Sequence, residues 1–302
     1  MSDQNFRSGF ISVMGRPNVG KSTLINNLMG QKIAAVSPRP QTTRQQQLGI
    51  LTTNDAQIIF IDTPGLHKPQ HKLGEYMNKE AAITIEDCDA VLFLVDASQS
   101  PPHEEDRILV QLLADVKNPP PVVMALNKID RLNPEKIEEN QKEYQELLPN
   151  AEIFPISATS GEGLVNLLQN LIGHLPDGDY FYPEDQVTDL YEKEIAADLI
   201  REAALLQLRD EVPHALAVRI DEFTERGEGG AYIAATLFVE RDSQKGIVIG
   251  KEGSMIKKIG SQARKEIEAM SGRKVFIRLR VKVRKNWRND EKWLRRFGFQ
   301  SK

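Results

Sequence analysis

The octapeptide GRPNVGKS, residues 15–22, follows an apolar run and precedes a helical pattern. It matches G-x-x-x-x-G-K-[ST], in which glycines let backbone N–H groups surround phosphates and the helix N-terminus adds positive potential. In this pattern Lys21 reaches the β- and γ-phosphates and Ser22 binds Mg²⁺. The octapeptide therefore predicts a nucleoside triphosphate site, and a plain glycine-rich turn is the alternative interpretation.

A second short stretch, NKID at residues 127–130, indicates which base such a site accepts. The Asp130 carboxylate can accept hydrogen bonds from N1–H and N2–H₂ of guanine, whereas adenine offers neither donor there. A site built in this way can discriminate between the bases by about 10⁴–10⁵-fold. Asn127 and the aliphatic stem of Lys128 would brace the loop and the base, so the stretch favours GTP over ATP.

The tetrapeptide DTPG begins at Asp62 and also follows an apolar run. In phosphate-sensing loops of this kind the aspartate holds Mg²⁺ through water, and the N–H of Gly65 senses the γ-phosphate. The polar stretch SPRPQTTRQQ, residues 37–46, lies between the first and third motifs. Thr43, in preference to Thr42, is the candidate that completes the Mg²⁺ shell when GTP is bound.

The SAT sequence at Ser157–Thr159 follows the next apolar run and offers the Ala158 N–H to guanine O6. The predicted Mg²⁺ ligands are Ser22, Thr43 and Asp62. All residues predicted to contact the nucleotide lie in the four motif loops: Gly15, Arg16, Pro17, Asn18, Val19, Gly20, Lys21, Ser22, Thr23, Asp62, Thr63, Pro64, Gly65, Leu66, Asn127, Lys128, Asp130, Ser157, Ala158 and Thr159.

Apolar runs and helical patterns alternate through the first 175 residues. Near-continuous apolar runs suit strands that are buried on both faces of a mainly parallel sheet. The predicted strands cover residues 10–15, 57–62, 90–96, 121–127 and 152–157, and the predicted helices cover 22–29, 104–115, 134–148 and 163–175. Such alternation predicts a doubly wound α/β domain, here a P-loop domain with a mostly parallel six-stranded sheet, and ligands bind such sheets at the carboxyl ends of the strands.

Residues 176–187 are rich in Pro, Gly and Asp and break both periodicities, so we predict a linker there. Beyond it the predicted order is one helix, two strands, one helix and one strand. These elements cover residues 188–208, 214–223, 231–241, 255–270 and 273–284. The predicted domains are therefore a nucleotide-binding domain at 1–175 and a smaller α+β domain at 188–302.

The formal net charge of −4 hides a strong asymmetry along the 302 residues. Residues 241–302 hold 19 Lys and Arg against 6 Asp and Glu, a net of +13, whereas residues 1–240 carry a net of −17. A basic end on an acidic body suggests contact with a polyanion, and a solvated charged surface is the alternative. No run approaches the ~18 apolar residues of a membrane span, and the single cysteine, Cys88, fits a reducing cytosol.

The basic end contains a G-x-x-G sequence at residues 250–253, between an apolar run and an amphipathic helical pattern. The stretch IRLRVKVR, residues 277–284, then alternates, which predicts a sheet with a cationic outer row; protection of a sheet edge is the alternative role for that row. For the aromatic residues of 286–299, stacking on bases and pinning of a terminal helix are both open. We expect Trp293 and Phe297 in the core and Arg295 and Arg296 outside.

Together, GRPNVGKS, QTTR, DTPGLHKP and NKID closely resemble the Era branch of bacterial translation-factor-type GTPases. The C-terminal block resembles a KH domain of type II, in which the G-x-x-G loop clamps about four single-stranded nucleotides. The resemblance covers essentially the whole chain. It implies GTP hydrolysis in the cytoplasm and a switch between GTP and GDP states. It further implies binding to the 3′ end of small-subunit rRNA, assembly of the 30S subunit, a monomeric state and a peripheral inner-membrane fraction.

The KH resemblance also implies which residues bind RNA. The groove beside the G-x-x-G loop would read bases through isoleucines, for which Ile247, Ile249, Ile256 and Ile259 are candidates. The residues predicted to bind RNA are Ile249, Gly250, Lys251, Glu252, Gly253, Lys257, Lys258, Arg278, Arg280 and Lys282.

Leu66 stands where many GTPases have a glutamine that orients the attacking water. The wider group that the Era branch resembles has an apolar residue there, and several members carry a P-loop asparagine that binds K⁺. Asn18 matches that asparagine, so we hypothesise a K⁺-dependent, intrinsically slow hydrolysis, and bracing of the loop is the alternative role for Asn18. The predicted catalytic residues are Lys21, Asn18, Thr43 and Gly65.

Two other functions stay open on the sequence alone. A membrane-attached signalling GTPase would use the basic end on anionic lipid. A P-loop small-molecule kinase is disfavoured by NKID and by the lack of an evident substrate lid. His67 and His71 are interpreted as surface loop residues and not as bases.

Overall fold

The computed structural model describes residues 6–37, 39, 42–65, 71–99, 101–226 and 230–299, without the side chains of 80–82 and 226. These residues form two compact units. The first contains residues up to 33, then 43–65 and 77–189. The second contains 190–299 together with two short segments of the N-terminal half, 34–42 and 71–76, within the described ranges.

The first unit is built on a six-stranded sheet in the order β2–β3–β1–β4–β5–β6. All neighbouring strands are parallel except the edge pair β2–β3, which is antiparallel. The strands are β1 (Arg7–Met14), β2 (Gln47–Thr52), β3 (Ala56–Asp62), β4 (Ala90–Asp96), β5 (Val122–Asn127) and β6 (Glu152–Pro155).

Helices cover both faces of this sheet, which explains why its central strands are apolar throughout. Every residue of β3 and β4 is buried, as expected for strands with no solvent-facing side. The helices are α1 (Lys21–Met29), α2 (Lys72–Glu86), α3 (Glu104–Ala114), α4 (Pro134–Leu147) and α5 (Leu164–His174). One core lies against α1 and α5, and the other against α3 and α4. The predicted doubly wound P-loop domain is confirmed.

Three elements were not predicted from the apolar runs. Strand β2 is an edge strand in which three of six residues are only half-buried, and its sequence QLGILT has no continuous apolar run. Helix α2 contains Gly74 in its first turn. Helix α7, described below, contains Gly246 and ends in Ile-Val-Ile, a sequence that local propensity assigns to a strand. The other predicted boundaries agree with the structure to within a few residues.

The predicted linker, residues 176–187, packs against the first unit. The Gln57 side chain accepts from the backbone N–H groups of Phe181 and Tyr182, at 2.8 and 3.0 Å. The N–H of Ile50 donates to the carbonyl of Val187 at 2.9 Å. The composition of this segment predicted its irregular backbone. It could not predict the packing, because the buried glutamine that binds the segment, Gln57, lies in a strand far away in the sequence.

The second unit is a three-stranded sheet with two helices on one face, and on the other face Trp293 and Phe297 pack against Phe238. Strands β7 and β8 are antiparallel, and β8 and β9 are parallel. The elements are α6 (Glu192–Gln207), β7 (Ala217–Arg226), β8 (Gly230–Val239), α7 (Asp242–Ile249), α8 (Ser254–Ser271), β9 (Lys274–Val283) and α9 (Glu291–Arg296). This is the helix–strand–strand–helix–helix–strand order of the type II KH domain that the sequence resembles, followed by one short helix; α7 is the element that the apolar runs did not predict.

Strand β9 alternates as predicted. Ile277, Leu279, Val281 and Val283 pack against the core that α6 and α8 supply. Arg278, Arg280 and Lys282 are exposed on the opposite face. One strand therefore supplies both the inner wall of the core and a charged outer row.

The C-terminal aromatic residues pin the chain to the second unit. Trp287 is fully buried, and its Nε1 donates to the carbonyl of Ala215 at 2.8 Å. Phe297 is also buried, 5.1 Å from the Trp287 ring centroid. Trp293, which we expected in the core, is half-buried because guanidinium groups of Arg284 and Arg296 lie over its ring.

Among the described residues, no helix has both the length and the apolar content that spanning a bilayer requires.

We predict that Trp287→Phe destabilises the second unit by about 1–3 kcal/mol, because the buried Ala215 carbonyl loses its donor. Urea unfolding followed by tryptophan fluorescence measures this selectively, since both tryptophans of the chain lie in that unit. Trp293→Phe, at a half-buried position, is the control and should cost less. An unchanged midpoint for Trp287→Phe would contradict the assignment.

Candidate functional site

The predicted nucleotide motifs meet at one edge of the first sheet. GRPNVGKS follows β1, DTPG begins at the last residue of β3, NKID begins at the last residue of β5, and SAT follows β6. These four strands are parallel, so their carboxyl ends share an edge. This edge is where ligands bind in doubly wound sheets.

Glycines let the loop after β1 pass close to its neighbours. A Cβ at Gly15 would lie 2.3 Å from the carbonyl oxygen of Leu94. At Gly20, whose φ is +110°, a Cβ would lie 2.3 Å from the Asn127 side chain. Larger residues at these two positions would therefore force the loop open. The loop then leads directly into α1, whose first residue is Lys21.

Lys21 lies inside this loop. Its Nζ donates to the carbonyl oxygens of Gly15 and Arg16, at 2.8 and 3.2 Å. Burial lowers the pKa of Lys21 to about 8; Asp62 opposes this shift and Arg16 adds to it. The ammonium group is therefore held at the centre of the loop at an energetic cost that an added anion would relieve.

Three oxygen atoms from distant parts of the chain meet beside α1. Ser22 Oγ donates to Asp62 Oδ2 at 2.8 Å and lies 2.9 Å from Thr43 Oγ1, which in turn donates to Asp62 Oδ2 at 3.2 Å. The neighbouring Thr42 faces elsewhere and bonds to Ser37 and to the Arg39 carbonyl. Of the two candidate threonines, the structure thus places Thr43 with the predicted Mg²⁺ ligands.

This oxygen triad, Ser22, Thr43 and Asp62, has the composition that Mg²⁺ requires. Two hydroxyl groups and one carboxylate are hard oxygen ligands, and Mg²⁺ usually adds phosphate and water oxygens to such a partial set. The residues present therefore fit the predicted metal.

The DTPG loop lies directly against the P-loop. A Cβ at Gly65 would be 2.9 Å from the backbone nitrogen of Pro17, so only glycine fits there without a shift. Thr63 Oγ1 donates to the Val13 carbonyl at 2.7 Å and fixes the start of the loop, and Pro64 is buried. Leu66 and His67 lie outside the described residues.

The NKID loop connects three motif loops. Asn127 Nδ2 donates to the Val19 carbonyl at 2.7 Å, and Asn127 Oδ1 accepts from the Ala158 N–H at 2.8 Å. This bond uses the donor that we assigned to guanine O6, so that assignment stays a prediction. Lys128 Nζ donates to the carbonyl of Asn18 at 2.8 Å. The base-selecting loop is thus tied to the phosphate-binding loop.

The remaining predicted nucleotide contacts lie around the same edge. Asp130 is exposed in a short 3₁₀ turn, where its carboxylate can reach a base from solvent. Thr159 is exposed, whereas Ser157 is buried and its Oγ accepts from the Ser160 N–H at 3.2 Å. Thr23 is half-buried in α1.

Two acidic residues that the sequence motifs did not include support the site. Asp96, the last residue of β4, accepts from Lys128 Nζ at 2.6 Å. Burial alone would raise the pKa of Asp96, but the Lys128 and Ser98 hydrogen bonds lower it below the usual value. Its position at the carboxyl end of an apolar strand was a signal that could have identified it.

The second acidic residue, Asp106 of α3, is fully buried beside the P-loop. Arg16 Nε lies 3.4 Å from its Oδ1, and the Tyr144 hydroxyl donates to its Oδ2 at 2.8 Å. Burial raises the pKa of Asp106, although Tyr144 and Arg16 counteract the shift. No motif contains Asp106, because only the packing of α3 and α4 brings it to Arg16.

The predicted RNA-binding residues separate into two groups. The first surrounds the G-x-x-G loop, where Gly250 and Gly253 have φ values of +73° and +77°. Lys251, Glu252, Lys257 and Lys258 are exposed around it, and Ile249 is half-buried. Ile259, which we expected to read bases, is fully buried in the core, so that expectation is wrong: it lies on the inner face of α8.

The second group, Arg278, Arg280 and Lys282, lies on the opposite face of the sheet from α8. A Cβ at Gly260 of α8 would lie 3.4 Å from the Leu279 side chain, which points inward. The two groups therefore do not share one groove.

Comparison with known proteins agrees with this architecture. The family model for 50S ribosome-binding GTPases matches residues 10–128, and the KH domain model matches residues 211–288. GTPase Era of Geobacter metallireducens (strain ATCC 53774 / DSM 7210 / GS-15) is 48% identical over 300 residues, which cover 99% of this chain and all of that protein.

Two crystal structures match over nearly the whole chain. One is Era in complex with MgGDPNP and nucleotides 1506–1542 of 16S ribosomal RNA, and the other is an Era variant from Aquifex aeolicus bound to GDP and AlF₄⁻. Each is 38% identical, with a TM-score of 0.93, and covers 98% of this chain and 100% of its own.

A P-loop GTPase domain followed by a KH domain defines a GTPase of the nucleic-acid-binding class. With 48% identity over the full length of a curated relative, the chain belongs to the Era family of GTPases.

We predict that GTP binds more weakly above about pH 8. A triphosphate raises the pKa of Lys21, so binding takes up a proton once the amine is neutral in the free protein. The Kd should increase about tenfold between pH 7 and pH 9, as measured by calorimetric titration. Lys21→Arg is the control, because guanidinium stays charged in this range while guanine titrates identically. Equal pH slopes for both proteins would contradict the prediction.

Proposed function

We propose that this protein is a GTP-hydrolysing switch that binds single-stranded small-subunit rRNA near its 3′ end and assists assembly of the 30S subunit. The GTPase and KH family matches support its two activities. The relative whose structure contains nucleotides 1506–1542 of 16S ribosomal RNA supports the choice of RNA. In-cell crosslinking followed by sequencing of the crosslinked RNA tests this choice, since crosslinks away from the 3′ region would contradict it.

In the proposed reaction, residues of the motif loops position GTP. Lys21 would bind the β- and γ-phosphates in place of the carbonyl groups it now contacts. Ser22 and Thr43 would hold Mg²⁺ directly and Asp62 through water, and the ion would supply charge neutralisation at the phosphates. Gly65 would offer its N–H to the γ-phosphate, and the Asp130 carboxylate would bind the guanine N1–H and N2–H₂.

One observation carries the proposed link between nucleotide and RNA. Thr43 belongs to the oxygen triad, whereas the residues directly before it, 34–42, belong to the compact unit that contains the KH domain. Within that unit, Arg39 Nη2 donates to the Leu208 carbonyl at 3.3 Å. Ordering of Thr43 by GTP would therefore be felt by the RNA-binding unit through a covalently continuous segment.

Residues 71–76 make a second such link, because they too belong to the second unit. Lys72 Nζ donates to Glu291 at 2.7 Å, and the ring of Tyr76 lies 5.7 Å from that of Phe299. His71 is half-buried in the same unit, and its pKa is lowered by burial and by the charge of Arg288. The segment after DTPG thus contacts the C-terminal residues of the same unit.

The proposed location is the cytoplasm, with the protein acting as a monomer. A membrane-attached role needs a basic helix with a free apolar face. Leu294 of α9 is buried, as are Ile259, Ala263 and Ile267 of α8. The apolar faces of these two basic helices are packed against protein, and we therefore favour RNA over lipid as the polyanion.

We predict tighter RNA binding in the GTP state than in the GDP state, by about 5- to 150-fold, and by linkage RNA strengthens GTP binding by the same factor. Binding of a fluorescent 3′-terminal 16S rRNA fragment is measured with a non-hydrolysable GTP analogue and with GDP. Thr43→Ala should abolish the difference because it removes one member of the oxygen triad. Thr42→Ala, the adjacent control, should retain it. Equal affinities in both states of the unmodified protein would refute the coupling.

We also propose that Asn18 binds a K⁺ ion that accelerates hydrolysis. Asn18 is exposed in the P-loop with φ +66°, and its carbonyl is already oriented by Lys128. These features fit either a K⁺ ligand or a bracing residue. The ion would place positive charge near the β- and γ-phosphates, where charge develops.

GTP hydrolysis should be faster in KCl than in NaCl at equal ionic strength, by on the order of 10²-fold, the effect of one well-positioned electrostatic group. Asn18→Ala should remove the difference between the two salts, because it removes the proposed K⁺ ligand. Equal rates of the unmodified protein in the two salts would exclude the K⁺ role.

A further inference from the structure

The face of the second sheet that points away from α6 and α8 carries an unusual combination of side chains. We define the outer sheet face by Tyr232 of β8 and by Phe276, Arg278, Arg280 and Lys282 of β9. Phe276 is 61% exposed, although a phenylalanine in a strand is usually packed on one side. The three cationic residues are exposed as well.

The two aromatic residues stack on each other. Tyr232 and Phe276 are register partners across β8 and β9. Their ring centroids are 5.7 Å apart and the ring planes differ by 13°, so the rings are nearly parallel. Pairing with each other explains their place in the sheet, but it does not explain why the larger part of the Phe276 ring is left in water.

Positive charge continues from this aromatic pair along β9. Arg278, Arg280 and Lys282 follow Phe276 at every second residue, which spaces them by about 6.6 Å. The acidic residues of this face start on β7, where Glu222 is exposed and Asp221 pairs with Arg219 at 2.5 Å. The Asp221 carboxylate also accepts from Thr236 of β8 and so reaches toward β9, but every outward charge on β9 itself is positive. The β9 side of the face is therefore locally cationic.

An aromatic platform that leads into a row of cations has the chemistry of a single-stranded nucleic acid site. Bases stack on exposed aromatic rings, and a basic track binds the phosphates. Other RNA-binding domains use the open face of a sheet in this way. An anionic membrane would match the charge, but a flat sheet face offers no apolar wedge to insert.

This face is distinct from the G-x-x-G loop. The loop precedes α8, and α8 packs against the inward side of β9 through Leu279. In the order β7–β8–β9, strand β9 is the edge of the sheet. An RNA strand that leaves the loop can therefore reach the outer face by passing around this one edge.

We propose that the outer sheet face is a second binding surface for single-stranded RNA, with bases stacked on Phe276 and Tyr232 and phosphates bound by Arg278, Arg280 and Lys282. This proposal rests on the proposed function, because it extends the RNA path beyond the nucleotides clamped at the G-x-x-G loop.

The test compares two unstructured RNAs on the full-length protein. One has about six nucleotides, enough for the G-x-x-G loop, which holds about four, and the other has about 30. Phe276→Ala should weaken binding of the long RNA by about 5- to 100-fold, as expected for one lost base stack, and leave the short RNA unaffected. Phe276→Tyr, which keeps a ring, should bind both as the unmodified protein does, and Phe276→Leu should behave like Phe276→Ala.

A second variant tests the phosphate contacts. Arg280→Gln should reduce the slope of log K against log salt by about 0.7 for the long RNA only, as expected for one lost contact to a single strand. Urea unfolding and GTP affinity of each variant serve as controls for folding.

The possible outcomes separate this proposal from the function on which it rests. If the unmodified protein binds both RNAs and Phe276→Ala binds them equally well, the outer face is not an RNA site and the proposed function stands. If the unmodified protein binds neither RNA, both fail. If Phe276→Ala loses only co-sedimentation with anionic phosphatidylserine vesicles, the face binds lipid and the proposal is wrong.

Discussion

Three oxygen atoms within 3.2 Å of one another connect parts of the chain that the sequence separates by about 40 residues. Ser22 lies in the first turn of α1, Asp62 is the last residue of β3, and Thr43 lies in the segment between these two elements. Such a cluster is stable only while its carboxylate has partners, since burying an unpaired charge is costly. In the proposed switch, a metal ion at this cluster would act on Thr43, and through it on the segment 34–42 that belongs to the second unit.

Buried charges hold the rest of the nucleotide site in place by the same principle. Lys21, Arg16 and Asp106 are all buried, and each is placed beside an opposite charge or a carbonyl dipole. Removing one partner of such a set leaves the other charge unsolvated, which costs more than the pair contributes. Asn127 adds neutral hydrogen bonds between loops. These contacts hold the loops in one arrangement, and such preorganisation lowers the entropic cost of binding.

Strand β9 contributes to two surfaces of the second unit, because its side chains point alternately to the two faces of the sheet. Inward residues of β9 complete the core with α8, and outward residues carry a ring and three cations. For the C-terminal aromatic residues the sequence left base stacking and pinning of a terminal helix open, and the buried Trp287 holds the chain end to the second unit. Phe276, an exposed ring of the same unit, lies in a stretch that the sequence analysis considered only for its charges.

The sequence by itself determined the two domains, the parallel sheet and the four nucleotide motifs, because continuous apolar runs and glycine spacing are local signals of buried strands and phosphate loops. It did not reveal β2 or α7, whose local patterns are mixed. Tertiary structure alone decided that Asp106 supports Arg16, that Ile259 is core, and that Arg280 faces away from the G-x-x-G loop. Each of these placements depends on contacts between elements that are far apart in the sequence, and a local sequence pattern does not show which distant elements pack together.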